Sequence, residues 1–507
     1  MINRKFIFIA ASIILVLFFI KIISRNPSRL PKSFTPVPSE DSVQGTQIPS
    51  NSSNPAENRL DTGSFIVYQL WLNYFAKNPD ADQTSDSVFQ NASQKLKDIA
   101  SLGVTTIQLS PIHPFSGKGT IGSPYGSRDY YDIHPGYSPQ SRTKEERIID
   151  FKNFVDNAHQ NGLKVIMDCV YHSTDKNNIL VKTHPEYYKR NFFGQFETNR
   201  YNFFVLDYTN PQTQQYIIDM VKYWVNTAGV DGCRADVAIY VPLPFWARLN
   251  NEIKRIKPSW IMIAETQTKL QEYSGKSGNL YGFDALYGVD YMRSVRGVLS
   301  KKAPAEYIKR TWEYPKGGKP PTLPDAIFYR AVDNHDQHPR AVLLSGGNNA
   351  HLASLIINFT LDGIPFLFNG QEIGDSAPTS IKTQKFISWD IPPYPENRQV
   401  ISKLSSLRKS YPALKEGKTT FFPVTNNSSL IAFLRESGNE KIITIANMSE
   451  KSWQGTLPNL PERISPQEIS PLISKEAEVS MLPNTGVGLN IGGWGYIVAR
   501  ISSSLPK

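Results

Sequence analysis

The sequence predicts an α/β protein in which a closed (β/α)8 barrel is followed by a C-terminal antiparallel β-sandwich. Three observations lead to this prediction. Short apolar runs alternate with amphipathic stretches over residues 64–412, a long insertion follows the third run, and short alternating segments take over after Pro412. The first pattern is typical of parallel strands joined by helices, and the last of antiparallel strands joined by turns.

Eight apolar runs have the length of barrel strands. The predicted strands are 65–70, 105–109, 164–168, 232–236, 260–265, 283–287, 326–332 and 364–368. Helical patterns lie between them, for example at 145–161, 213–228, 244–256 and 350–361. In a barrel of this kind, side chains at the C-terminal ends of the strands are expected to converge on one site.

Residues 172–210 are too numerous for a simple β-α loop and hold many aromatic side chains. We expect them to form an inserted subdomain that makes one wall of a cleft, within a catalytic domain at 64–412. From 413 to 507, alternating segments are separated by the turn signals Asn426-Asn427 and Ser437-Gly438, which predicts the β-sandwich domain.

The first 63 residues are not expected to join the globular fold. An apolar run at 6–20 follows Arg4 and Lys5, so residues 1–25 are interpreted as an uncleaved membrane anchor or a cleaved signal peptide. Residues 26–63 are rich in Pro, Ser, Asn and Thr and are expected to form a disordered stalk. The globular part would then be extracytoplasmic, either anchored to a membrane or secreted.

Composition and charge argue against two classes of binding site, a nucleic-acid groove and a cysteine metal site. The 507 residues carry a formal net charge of +10, but Lys and Arg are scattered without a run of five, which argues against a nucleic-acid groove. The two cysteines, Cys169 and Cys233, are expected to be buried free thiols and have no metal-ligand spacing. The sequence predicts no oligomeric state.

Four predicted strand ends carry candidate chemistry: Asp168 with His172, Arg234 with Asp236, Glu265, and Asn334-His335-Asp336. Arg234 and Asp236 lie on the same face of one strand, so the guanidinium is expected to keep Asp236 ionised, as a nucleophile requires. Glu265 follows an apolar run at 261–264 and is expected to have a raised pKa, as a general acid requires. One ionised and one protonated carboxyl group are what cleavage of a glycosidic bond needs.

In this order and spacing, the motifs resemble those of the alpha-amylase family, glycoside hydrolase family 13. The resemblance covers residues 64–502. The motifs lie at 103–107 with 110–112, at Tyr125 with 129–131, and at 168–170, 232–236, 264–265, 333–336 and 363–365 with 370–374.

The resemblance implies a retaining hydrolase that cleaves α-1,4-glucosidic bonds of starch, glycogen or maltodextrins through a covalent glucosyl-enzyme. Asp236 would be the nucleophile, Glu265 the general acid and base, and Asp336 the carboxylate that stabilises the transition state. Arg234 would orient Asp236, and His335 would bond sugar hydroxyls.

Two further substrate contacts are implied, Tyr125 as a ring under the reacting glucose and His172 beside it. The family's first motif ends in Asn-His, which an ungapped match places at His172 and Ser173; a one-residue deletion would instead give His172 the sugar-binding role. Because the Asn that often helps bind calcium is not matched, no cofactor is predicted and calcium stays open.

The same carboxylates serve alternative reactions. A sugar can intercept the covalent intermediate, so a glucanotransferase or a disaccharide-acting relative is the first alternative. Tyr240 stands where the family often has His, which changes the acceptor side of the cleft. A non-catalytic membrane protein with an amylase-like ectodomain is the alternative from another class.

Overall fold

A computed structural model describes residues 62–75, 87–118, 121–139, 141–266, 283–313, 326–381, 387–390, 392–422, 429–457, 466–482 and 486–502. The predicted anchor and all but the last two residues of the predicted stalk lie outside these ranges. Within the part of the chain that is described, no helix combines the length and the apolar character needed to cross a membrane.

Eight parallel strands close into a barrel, which confirms the predicted fold class. In chain order they are Val67–Leu70, Thr106–Leu109, Lys164–Cys169, Gly232–Ala235, Ile261–Ala264, Ala285–Tyr287, Phe328–Ala331 and Ile364–Phe368. Nearly every strand residue is buried, as parallel strands covered by helices on the outside require. Each strand lies within one of the eight predicted runs or extends it by one residue.

The interior of the barrel is apolar below its C-terminal end. Side chains such as Val67, Ile166, Ile263, Tyr329 and Phe366 form one buried cluster there. This packed floor places the polar side chains at the C-terminal strand ends on a rigid base.

Helices cover the outside of the barrel, and the four predicted helices are confirmed. The described α-helices are Val88–Ser101, Lys144–Gln160, Leu180–Thr183, Pro211–Ala228, Leu243–Ile256, Val289–Leu299, Glu306–Glu313, Gly347–Thr360, Glu396–Ser410 and Pro412–Glu416.

The helix Pro211–Ala228 shows how local sequence fixes the approach to the fourth strand. Asn210 caps its start by accepting a hydrogen bond from the Gln212 N–H at 2.8 Å, and proline occupies the first helical position. Gly229 ends the helix in the left-handed conformation (φ 74°). The strand that carries Arg234 begins three residues later.

Gly232 allows the fourth strand to lie tightly between its neighbours. A Cβ atom at this position would lie 2.4 Å from Ile166 Cγ2 and 2.6 Å from the Ile261 carbonyl oxygen. Neither neighbour could move away without disturbing the barrel, so only glycine fits here.

The segment between the third strand and the helix Pro211–Ala228 folds back on itself. Ser173–Thr174 pairs with Phe204–Val205, and further bridges join Arg190 to Phe196 and Thr198 to Phe204. The aromatic side chains divide into two groups: Tyr187 and Tyr188 are buried, whereas Phe192, Phe193 and Tyr201 are exposed.

The C-terminal strands form an antiparallel sheet, as predicted. They are Lys418–Phe421, Leu430–Ser437, Glu440–Asn447, Trp453–Thr456, Ile469–Leu482 and Gly486–Ile501. The last two form a long hairpin with register shifts at Pro471/Ile473 and Lys475/Ala477, where bulges bend the strand. Both arms of this hairpin contribute to one apolar cluster, as the two inner faces of a sandwich do.

The other face of this sheet packs on the barrel. Phe433, Ile442 and Val498 belong to the same buried cluster as the barrel helices. Arg435 also donates hydrogen bonds to the carbonyl oxygens of Thr360 and Gly417, both at 2.8 Å. The C-terminal sheet therefore packs against the barrel from outside and contacts the end of the helix Gly347–Thr360.

Candidate active site

The guanidinium of Arg234 lies at the centre of a group of carboxylates. Its Nη1 atom is 2.5 Å from Asp168 Oδ1 and 2.9 Å from Asp236 Oδ1, and its Nη2 atom is 2.9 Å from Glu265 Oε2. These four side chains come from three adjacent strands, and Arg234 and Asp168 are almost fully buried. One positive charge therefore faces three carboxyl groups.

This imbalance shifts the pKa values in an unexpected way. Burial raises the pKa of Asp236 well above its usual range; Arg234 opposes the shift, and the negative charges of Glu265 and Asp168 add to it. Burial also raises the pKa of Glu265, but Arg234, the Val237 N–H and a hydrogen bond from Asp236 outweigh it, and the net pKa is lowered. Ionisation is therefore opposed at Asp236 and favoured at Glu265, although both carboxyl groups contact the same guanidinium.

The expected pKa directions are thus reversed. From sequence, Glu265 is expected to have the raised pKa because an apolar run precedes it. Alternation along the strand sends its side chain instead toward Arg234 and a backbone N–H. Contacts with Arg234 and the Val237 N–H, rather than the apolar residues before Glu265, determine the environment of the Glu265 carboxyl group.

The backbone after Asp236 is strained. Val237 has φ 38° and ψ 54°, a left-handed conformation that β-branched residues rarely adopt. This conformation directs the Val237 N–H to Glu265 Oε2 at 3.0 Å, and the next N–H, of Ala238, to the Glu265 carbonyl oxygen at 3.0 Å. The strain therefore holds the Glu265 carboxylate beside Asp236.

A second group of side chains lies across the barrel from Arg234. His335 Nε2 is 2.7 Å from the Tyr125 hydroxyl and 3.4 Å from Asp336 Oδ2. The Tyr125 hydroxyl donates to Asp168 Oδ2 at 3.1 Å, which joins the two groups. Asp336 is the open member of the set, with 52% of its side chain exposed.

His172 lies next to Asp236. Its Nδ1 atom is 3.8 Å from Asp236 Oδ2, and its ring centroid is 5.6 Å from that of Tyr240. Burial lowers its pKa to about 4, so the imidazole is neutral. Ser173 is directed elsewhere, since its hydroxyl accepts a hydrogen bond from Asn199 at 3.0 Å. His172 therefore lies beside Asp236, and its contact with the sugar stays a prediction.

A continuous set of contacts therefore joins all seven predicted site residues: Tyr125, His172, Arg234, Asp236, Glu265, His335 and Asp336. Asp168 contacts both Arg234 and the Tyr125 hydroxyl and so supports these two side chains. Sequence reasoning missed Gln69, which contacts His335, and the Val237 backbone. Gln69 lies near the end of the first strand, so the rule that barrel sites form at C-terminal strand ends could have identified it.

The residues present do not favour a metal centre. Among the described ranges there is no group of three His, Cys, Asp or Glu side chains that could hold an ion. Cys169 and Cys233 are buried free thiols, as predicted. In either alignment of His172 no Asn stands at the place where the family's first motif often supplies a calcium ligand, and calcium prefers oxygen ligands. No chemical step is assigned to a metal.

A pair of carboxyl groups, Asp236 and Glu265, held by Arg234 at the C-terminal end of a barrel, has the arrangement of a glycosidase active site. The family model described as "Alpha amylase, catalytic domain" matches residues 73–205 and 180–403, and the chain belongs to this family of glycoside hydrolases.

Characterised relatives and solved structures agree with that assignment. The chain is 24% identical over 439 residues to a cyclomaltodextrinase from Geobacillus thermopakistaniensis, covering 78% of this chain and 70% of the relative. It is 27% identical over 422 residues to alpha-amylase 2 from Dictyoglomus thermophilum, covering 76% and 69%. A crystal structure of a maltogenic alpha-amylase from Thermotoga neapolitana matches with a TM-score of 0.70 and 25% identity, covering 88% of this chain and all of that one.

Proposed function

We propose that this protein is a retaining α-glucan hydrolase that cleaves α-1,4-glucosidic bonds of starch, glycogen or maltodextrins. The observation that carries the proposal is the contact of one guanidinium with both Asp236 and Glu265. It holds a nucleophile and an acid on the two sides of a single cation. In this proposal residues 64–412 form the catalytic domain and residues 413–507 the supporting sheet domain.

The first step requires an ionised Asp236 and a proton on Glu265, and both carboxyl groups contact the same guanidinium. Glu265 then gives this proton to the leaving glycosidic oxygen while Asp236 attacks the anomeric carbon. The bond to the leaving sugar breaks, and an ester between glucose and Asp236 forms.

The second step reverses these roles. The ionised Glu265 takes a proton from water, and the water oxygen attacks the anomeric carbon and releases Asp236. Two displacements at one carbon restore the α configuration. Arg234 stays bound to both carboxyl groups throughout and stabilises the one that is ionised in each step.

The remaining side chains would hold the sugar. Asp336 and His335 bond its hydroxyls, and these bonds strengthen as the ring flattens toward the transition state. Tyr125 presents a ring to the apolar C–H face of the glucose. His172, neutral and next to Asp236, contacts the same sugar.

The experiment is to incubate the full chain with maltoheptaose and follow the first products by proton NMR. We expect shorter maltooligosaccharides whose new reducing end appears as the α anomer before mutarotation. A β anomer as first product, or no cleavage of any α-glucan, would overturn the proposal.

Transfer to a sugar acceptor is a second candidate, which the position of Tyr240 favours. The side chain is 56% exposed beside His172, four residues after Asp236, so its ring can hold an acceptor sugar. Products longer than maltoheptaose in the same experiment would establish transfer; their absence at high substrate concentration would leave hydrolysis alone.

We also propose that the protein works outside the cytoplasm, anchored or released through residues 1–25. The apolar run at 6–20 after Arg4 and Lys5 supports this proposal. Protease added to intact cells should degrade the protein, and deletion of residues 1–25 should retain it inside. A protease-resistant, cytosolic full-length protein would contradict the proposal.

A further inference from the structure

Gln69 is a fully buried amide in the first barrel strand, and both of its polar atoms face His335. Its Nε2 atom is 2.9 Å from His335 Nδ1, and its Oε1 atom is 3.3 Å from the His335 backbone nitrogen. A buried amide held at two points by the same residue has a defined orientation.

The backbone contact decides which way the amide points. A backbone N–H can only donate, so the atom that faces it must be the amide oxygen. The amide nitrogen therefore faces Nδ1 of the His335 ring. Because the amide nitrogen also only donates, Nδ1 must accept and carries no proton.

The ring proton then lies on Nε2, on the side of the site. Burial lowers the pKa of His335, so the ring is neutral and has only this one proton. The Nε2–H donates to the Tyr125 hydroxyl oxygen at 2.7 Å, which leaves the hydroxyl proton of Tyr125 free to bond Asp168 Oδ2. Trp71 stacks on the ring at 4.6 Å between centroids and holds its plane.

We propose that Gln69 is a positioning residue that fixes His335 as its Nε2–H tautomer and so keeps a hydrogen-bond donor facing the site, where a hydroxyl of the reacting sugar shares or takes over the contact that the Tyr125 hydroxyl makes in this structure. The role in catalysis rests on the proposed function, whereas the tautomer itself does not. Without Gln69 the imidazole could place its proton on Nδ1, and Nε2 would then face the sugar and Asp336 as an acceptor. Charged or titratable side chains that act on the ring are Asp336, Arg234, Asp168 and Glu265, with Tyr125 in direct contact.

The tautomer can be measured without any substrate. In the full chain labelled with ¹⁵N-histidine, the His335 signal is assigned from a His335→Asn sample, and long-range proton–nitrogen correlation shows which ring nitrogen is protonated. We expect the proton on Nε2 in the natural protein. A proton on Nδ1 overturns the inference, whatever the enzyme activity proves to be.

Two substitutions at the same position separate positioning from packing. Gln69→Met removes both hydrogen bonds at nearly constant volume, and Gln69→Glu offers only acceptors to the ring, so Nδ1 gains the proton. We expect kcat on maltoheptaose to fall on the order of 10- to 100-fold in both, with KM little changed, because the sugar bond strengthens in the transition state.

Gln108 supplies the matched control. It is the register partner of Gln69 on the second strand, it is equally buried, and its side chain has no hydrogen-bond partner within the described part of the chain. Gln108→Met makes the same change in the same layer of the barrel, and we expect it to leave kcat unchanged. Equal losses in Gln69→Met and Gln108→Met would reduce Gln69 to a packing role and overturn the inference.

The pH profile gives a further readout. A carboxylate at position 69 raises the pKa of His335, and the doubly protonated ring again carries Nε2–H. Gln69→Glu should therefore recover activity toward acidic pH relative to Gln69→Met. Parallel pH profiles for the two variants would contradict the tautomer explanation. If no variant and no natural protein cleaves any α-glucan, the proposed function fails while the ¹⁵N result still decides the tautomer.

Discussion

Two aspartates five residues apart, Asp231 and Asp236, stand at opposite ends of the fourth barrel strand and have opposite electrostatic environments. Asp231 lies before the strand, where its carboxylate contacts His159 Nε2 and Lys257 Nζ, both at 2.8 Å. It also accepts the Val165 N–H at 2.8 Å. Asp236 follows the strand and shares the single cation Arg234 with other carboxyl groups.

Burial acts on both groups in the same direction, so the difference comes from the partners. Burial raises the pKa of Asp231, but His159, Lys257 and the Val165 N–H outweigh it and the net pKa is lowered. At Asp236 the neighbouring carboxylates add to burial, and the net pKa is raised. A carboxylate with enough donors stabilises the fold, whereas excess negative charge around a buried carboxyl group opposes its ionisation and marks a candidate functional site.

The largest difference should appear in catalysis. Asp236→Asn removes the nucleophile, and we expect kcat on maltoheptaose to fall by about 10⁴-fold or more. The same substitution at Asp231 lies at the far end of the strand and should leave kcat per folded molecule within about twofold of the natural value. Comparable losses in the two variants would remove the distinction between the strand ends.

Glu265→Gln tests the proposed general acid, which contacts Arg234 together with Asp236. Loss of the acid should lower kcat on maltoheptaose by roughly 10²- to 10⁴-fold. An aryl α-maltoside with a good leaving group needs no protonation, so its first turnover should persist, and azide, which needs no base, should restore steady turnover. Undiminished glucan cleavage by the variant would exclude Glu265 as the acid, and an inactive natural protein would favour the non-catalytic alternative.

The free energy of unfolding should respond differently to Asp→Asn substitution at the two positions. Asp231→Asn leaves Lys257 without its charge partner and should lower the free energy of unfolding at pH 7 by about 1–3 kcal/mol. Asp236→Asn removes a carboxyl group whose ionisation is opposed by burial and by the neighbouring carboxylates, so the free energy of unfolding should stay equal or rise. Urea unfolding of the two variants side by side measures both; a destabilised Asp236→Asn would contradict the account.

The smallest expected effect is the pH dependence of the stability difference between each variant and the natural protein. The folded pKa of Asp231 lies below the unfolded value of about 3.9, so its stabilisation is complete above that pH and is lost as the pH falls through the folded pKa. The folded pKa of Asp236 lies above about 3.9, so its ionisation opposes folding only above that pH. Both variants should therefore approach the natural protein in stability as the pH falls below about 4. A constant difference from pH 7 to pH 3 would exclude this linkage.

The barrel and its eight strands could be predicted because each strand is a short apolar run between turn signals. Asp236 and Glu265 could be predicted because they directly follow the strands Gly232–Ala235 and Ile261–Ala264, whereas Asp336 lies five residues after the strand Phe328–Ala331 and is indicated by the family motif. Alternation along a strand determines that Arg234 and Asp236 share a face, and the structure shows that pairing at 2.9 Å.

Other features depend on contacts between distant segments and have no local signal. A β-branched residue gives no sequence signal for the left-handed conformation of Val237. That conformation places the Val237 N–H where it donates a hydrogen bond to the Glu265 carboxylate. The sequence allows two alignments of His172 with the family's first motif, and its position beside Asp236 comes from the fold alone. The pKa directions depend on how many carboxyl groups share Arg234, which only the closed barrel determines.

The most direct measurement is to treat the protein with a slowly hydrolysed fluorinated α-glucosyl fluoride and to locate the attached sugar by peptide mass spectrometry. The account predicts one glucosyl adduct per chain, on the peptide that contains Asp236, and none in Asp236→Asn. An adduct on another residue, or turnover through the natural protein without any adduct on Asp236, would contradict the central claim that this aspartate forms the covalent intermediate.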